Sequence, residues 1–339
     1  MSVRVRQWRR VATRTCLTWR VGTLSHGVTR FSYAWFSTCL LVALLVVNIV
    51  TDPKPFTRSE LGVTVGLAAP LILAAIASTP PILSGGGGID LSVGPFMGLV
   101  NALVVNNLMD SLGVTSPFVV IPVVLGLGLG SGLIVGVLVA VIRIQPVVAT
   151  LGMYLIYGGL TLWIVPSPTG TVPGWLASIG GNASAVPIIV VLLSWWAISR
   201  SGFYKQLMAT GGDDRVAYSS GVHVAAVRIG AYVICGVFAA IGGLSLSALL
   251  GSVDPSVGPT YTLIAIAAVA LGGVSLAGGR GGVFGAVIGG CDIFLVQNML
   301  GYFNVSSFMI EVAYGAILAS AVTLNALMGA RAEARGGAP

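Results

Sequence analysis

One carboxylate, Asp90, follows four consecutive glycines in the stretch SGGGGIDLSVGP, from Ser84 to Pro95. Four glycines in a row cannot hold a helix, so the backbone opens there and its freed N–H and C=O groups must face protein or water. In a bilayer, a carboxylate at central depth costs about 2.5 to 3.5 kcal/mol on insertion scales, which calls for pairing with backbone amides at the start of the next helix. A plainer reading is compatible with it: Asp90, or Ser92 two residues on, simply caps that helix.

The longest polar interruption, from Arg200 to Arg228, reads RSGFYKQLMATGGDDRVAYSSGVHVAAVR. Gly211-Gly212 is a natural break, and Asp213 or Asp214 can cap a short helix through Val216, Ala217 and Tyr218 to a second break at Gly221. Such a helix could be a docking knob for a soluble partner or an ordinary solvated loop. A third unusual segment, 264 to 290, sets paired glycines around Arg280, and small residues at this density let helices approach closely. Segments 88–99 and 273–285 share a faint likeness that would fit an internal repeat. Elsewhere in the apolar stretches the polar groups are Asn101, Asp292, Gln297, Asn298 and Glu311, each readable as path lining or as an interhelical hydrogen bond.

Bond-making chemistry has little to work with. There is no HExxH, no GxSxG and no GxxxxGK[ST], and the chain has two histidines, His26 and His223. Cys16, Cys39, Cys235 and Cys291 stand far apart without metal-ligand spacing. No catalytic residue, metal or cofactor is expected.

The elements that must hold these residues are set by composition. Of 339 residues, 56% are hydrophobic and 8% charged, against roughly 25% charged in a soluble domain. The mean hydropathy is +0.97. Lipid is therefore the solvent, and a span needs about 20 mostly apolar residues. Ten spans are expected near 31–51, 60–82, 92–109, 117–141, 146–165, 185–199, 224–250, 259–276, 282–300 and 306–328, an all-α integral membrane bundle with a broken helix at 84–95.

Charge orients the bundle. Alternating from an inside start, the cytoplasmic segments hold fifteen of the seventeen basic residues, and the outside loops only Lys54 and Arg58. Both termini are then cytoplasmic, which eight or ten spans satisfy. The net charge of +7 is an orientation signal rather than a nucleic-acid footprint. An organellar transit peptide competes for the Arg-rich start, but no A-x-A site follows Phe36–Val50, which favours an uncleaved first helix. The chain divides into a basic N-terminal segment 1–30, a transmembrane unit 31–328 with a cytoplasmic segment 200–223, and a tail 329–339.

Four strings carry a resemblance over roughly residues 60 to 327: GGIDLSVG at 87–94, PVVATLGMYLIYGG at 146–159, ATGGDDRVAYSSGV at 209–222 and IAAVALGGVSLAGGRGG at 266–282. In this order they resemble the membrane permease subunit of ATP-binding-cassette importers for monosaccharides, the ribose, xylose and galactoside group. Asp213 stands where that family usually has Asn, Tyr218 where Ala is common and Gly158 where Arg is usual, while Thr262 lies near a position often acidic. The resemblance implies a separate ATPase subunit docking on a coupling loop that contains Gly211, Gly212, Asp213, Asp214, Ala217 and Gly221. It also implies an extracytoplasmic sugar-binding protein, a second permease subunit and residence in the bacterial inner membrane. Hydroxyl-rich cargo wants hydrogen-bonding groups in an apolar conduit, which marks Asp90, Ser92, Asn101 and Asn106 as expected path residues. A secondary transporter or channel without an ATPase is the alternative. A membrane-embedded enzyme would need clustered acids, which the scattered carboxylates do not provide.

Overall fold

The computed structural model describes residues 34–306 and, beyond them, 309–310, 312–317, 319–320 and 323. The segment 1–30, the tail 329–339, Glu311 and part of the last expected span lie outside the described residues. In chain order the helices are α1 (Trp35–Thr51), α2 (Leu61–Leu83), α3 (Val93–Ala102), α4 (Pro117–Ala140), α5 (Pro146–Ile164), α6 (Gly174–Gly180), α7 (Ala185–Arg200), α8 (Gly202–Gly212), α9 (Asp214–Ser219), α10 (Val224–Leu250), α11 (Tyr261–Leu271) and α12 (Val283–Tyr302). A π-helical stretch, Leu103–Ser111, continues α3.

Every expected span overlaps helix, yet the described residues alone do not reach the expected ten on length and composition. Among the described residues, five helices, α2, α4, α5, α10 and α12, are each long and apolar enough to cross a membrane, and α6 with α7, bent by 77°, would make a sixth. The spans expected at 31–51, 92–109 and 259–276 fall on shorter or composite helices. The last of these was drawn too long. Gly272 ends α11 because the chain there runs against the backbone of Gly285 on α12, and Gly273 follows with φ +78°.

Helices α2 and α10 form the centre, with 67% of each apolar window buried, against 28% for α4 and α5 on the rim. Pro70, Pro80 and Pro81 lie inside α2 without breaking it. Glycines set the crossing of α4 with α10. Gly128 and Gly132 of α4 lie against the backbone of Gly236 and Tyr232 of α10, an approach that a Cβ would block. Asp292 on α12 accepts a hydrogen bond from Ser37 of α1 at 2.6 Å, and Asn298 donates to Asn48 of α1 at 3.0 Å, so these intramembrane polar groups bind helix to helix.

Contacts sort the connections into two ends. At one end the turns 84–92, 141–145 and 272–282 gather around α8 and α9. At the other, Thr169 bridges Val253, Trp175 Nε1 donates to Thr115 O at 2.7 Å, and Ser184 Oγ donates to Gly62 O at 2.6 Å. Among the described residues, Arg143, Arg200, Lys205, Arg215, Arg228 and Arg280 belong to the first end, Lys54 and Arg58 to the second.

The strongest internal repeat is not the one read between 88–99 and 273–285. Asp90-Leu-Ser-Val-Gly-Pro95 after α2 is echoed by Asp254-Pro-Ser-Val-Gly-Pro259 after α10. In each, the first Asp Oδ1 accepts from the Ser N–H and Oγ two residues on, at 2.8 and 2.6 Å in one copy and 2.9 and 2.7 Å in the other. Because α2 and α10 run in opposite directions along the bundle, the copies are inverted. They meet where Gly94 and Gly258 pack backbone to backbone, and Thr262 Oγ1 donates to Leu91 O at 3.2 Å.

Candidate functional site

The opening after α2 forms as the glycine run requires. Gly85, Gly86 and Gly87 all take positive φ, a region that side chains avoid, and Ser84 ends the helix. The chain then dives inward to Asp90, which lines a small enclosed cavity with Ser92, Ser131, Gly132, Tyr232 and Cys235. Ser131 lies more than two turns before α4 ends at Ala140, which places Asp90 about 13 Å inside that end. Thr150 Oγ1 of α5 reaches Ile89 O at 3.3 Å and holds the turn from the other side.

Asp90 is 5% exposed, and the pairing expected of it is present. Its Oδ1 accepts the Ser92 N–H and the Ser92 hydroxyl, while Oδ2 accepts from the Cys235 thiol at 3.5 Å. Ser92 precedes the first residue of α3 but makes no side-chain cap bond, since its hydroxyl is turned back to Asp90. The cavity has room for about one water-sized species, so Asp90 and Ser92 face no open path in this conformation. Asn101 is fully buried and donates to Ser252 O at 3.3 Å, and Asn106 is half-buried in the π-helical stretch, bonded to Asn107 at 3.1 Å. Thus Asp90 and Ser92 come together, while Asn101 and Asn106 lie farther along α3 and its extension. Sequence reading missed Tyr232, whose buried hydroxyl has no hydrogen-bond partner among the described residues, and the Ser131–Tyr157 hydroxyl pair at 2.6 Å. It also missed Asp254 and Ser256, which the repeated D-x-S-V-G-P string could have marked.

The polar stretch 200–228 is largely helical. Asp213 caps α9 as expected, its Oδ1 accepting from Arg215 N at 2.9 Å and Val216 N at 3.1 Å. Ala217 is buried beneath α9, and Gly221 at φ +86° turns the chain toward α10. The expected break at Gly211-Gly212 falls one residue later, because both glycines remain in α8 and Asp213 leaves it. Gly211 is required for proximity instead. A Cβ there would collide with Leu83 O and lie 2.6 Å from Gly279 N, whereas one on Gly212 would meet nothing within 4 Å.

Beside this segment opens a cleft of ≈ 930 Å³, lined by Arg143, Arg215, Arg228, His223, Asp214 and Tyr218 among others. Among the described residues its one ion pair joins Arg228 to Asp214 at 3.0 Å, and the Arg228 guanidinium lies against Gly86. This end therefore presents a short capped helix, unpaired positive charge and a direct connection to the opening at Asp90.

A family model described as the permease component of the branched-chain amino acid transport system matches residues 62–327. The ribose import permease protein RbsC of Escherichia coli K12 is 31% identical over 314 residues, covering 87% of this chain and 95% of that protein. The galactose/methyl galactoside import permease protein MglC of Salmonella typhimurium is 30% identical, covering 86% and 94%. The autoinducer 2 import system permease protein LsrC of Escherichia coli O9:H4 is 29% identical, covering 84% of each. No solved structure matches the chain.

Proposed function

Because this multi-pass membrane chain belongs to the branched-chain amino acid transport system permease family, we propose that it is the path-forming subunit of an ATP-driven monosaccharide importer. Its ribose and galactoside import relatives support the cargo class. The carrying observation is the arginine-rich end, where α9, capped by Asp213 and anchored by Ala217, stands beside the turn that leads to Asp90. A separate ATPase docks there, through Gly212, Asp213, Asp214 and the surface of α9 up to Gly221. An extracytoplasmic sugar-binding protein delivers cargo to the opposite end, and two permease subunits, identical or sister, enclose the path in the inner membrane. On this reading the docking end and both termini face the cytoplasm, which the basic residues gathered at that end support. Asp90, Ser92, Asn101 and Asn106 serve the path only when α3 moves away from α5 and α10, since in the present packing they are enclosed or half-buried.

Proteoliposomes holding the tagged chain with its co-purified ATPase and binding protein, supplied with radiolabelled ribose or methyl galactoside, test this reading. Uptake that needs ATP and both partners supports it. Uptake by the chain alone would establish a secondary transporter or channel instead.

A further inference from the structure

Five glycines from three separated segments meet as bare backbone at the docking end. Gly85 of the turn after α2 lies against Gly211 of α8, and a Cβ on it would come 2.9 Å from Gly211 Cα and O. Gly278 sits against Gly85, and Gly279 against Gly211 and Gly212. Gly279 N–H donates to Leu83 O at 3.2 Å, closing the junction with a main-chain hydrogen bond. Gly85, Gly278 and Gly279 have φ of +73°, +100° and +67°, so their conformation as well as their closeness excludes side chains. A second strand of contact runs in parallel, from Asp214 of α9 through Arg228 to Gly86.

Backbone packed this tightly has no rotamers with which to absorb displacement, so a push on α8 and α9 must be taken up by the two turns together. One turn leads within five residues of Gly85 to Asp90 and within eight to α3, the other directly into α12. We propose that Gly211 is a positioning residue for transport, resting on the reading of this end as the ATPase dock: it does not contact the ATPase but locks the docking helices to both turns, so that nucleotide-driven movement reaches α3 and α12. Gly211 thereby differs in role from the docking surface that follows it.

Spin-label distances in the complex with its ATPase test the lock without altering the junction. A label pair at Gln206→Cys and Ala277→Cys, exposed on α8 and on the turn after α11, is expected to keep one distance in nucleotide-free and ADP–vanadate-trapped complex. The pair Gln206→Cys and Ile142→Cys, reaching the α4–α5 turn, is expected to change. A change in the first pair as large as in the second overturns the lock. Failure of any ATPase to co-purify removes the docking reading and the inference with it, a distinct result. In the second arm, Gly211→Ala should retain bound, hydrolysing ATPase while solute moved per ATP falls about fivefold or more. Gly202→Ala, also on α8 but with open space around its Cβ, should stay coupled. Full coupling in Gly211→Ala also overturns the proposal, and if that variant does not assemble, the distances decide.

Discussion

Asp213 and Asp90 perform one task, accepting N–H donors just after a helix ends, in opposite surroundings. Asp213 is exposed and replaceable by another capping side chain. Asp213→Ala should cost α9 about 1 kcal/mol, read as several-fold faster hydrogen exchange at 215–219, while Asp213→Asn should exchange as the parent does. Asp90 is buried, so Asp90→Ala leaves the Ser92 N–H and hydroxyl without their acceptor, at about 1–3 kcal/mol for an unsatisfied buried group. Asp90→Asn keeps an acceptor oxygen, and thermal unfolding in detergent should rank it well above Asp90→Ala. Equal loss in both would mean that charge, rather than the acceptor, holds the turn. Both carboxylates were legible in the sequence, because an acid beside glycines and ahead of an apolar run has few other uses. Gly211 was misread as a breaker, since sequence alone does not separate a glycine that bends the chain from one that admits a neighbour.

The same ambiguity runs along α4, where Gly126, Gly128, Gly130 and Gly132 alternate with other residues. Only Gly128 and Gly132, one turn apart, face α10; a Cβ on Gly126 or Gly130 would meet nothing within 4 Å. Gly132→Ala should therefore destabilise the protein by about 1–3 kcal/mol, through forced separation of α4 from Tyr232 and Val233. Gly130→Ala should leave the melting temperature unchanged or raise it, since Ala favours helix over Gly by about 1 kcal/mol. Equal melting of the two variants would remove the crossing from this account. Hydropathy located the long helices to within a few residues because burial in lipid demands uniform apolarity. It did not show α6 or α8, short pieces stabilised by contacts distant in sequence. The inverted D-x-S-V-G-P pair was written plainly in the chain, and the likeness of two glycine-rich loops drew attention away from it.

For the molecule as a whole, charge counting and packing agree on which loops share a side. Loops grouped on arithmetic as one side of the membrane are the loops that touch one another in the folded chain. In inside-out vesicles, Gln206→Cys should react with a membrane-impermeant maleimide, and Ser59→Cys, in the loop at the far end, only in right-side-out cells. The reverse pattern would invert the topology while leaving the fold intact. A joint made of main-chain atoms also asks nothing of the chemistry around it, only that certain positions stay bare. Walls that meet the cargo are then at liberty to drift toward new solutes while the drive train stays as it is, and tolerance maps of this chain should show small islands of absolute refusal in a permissive sea.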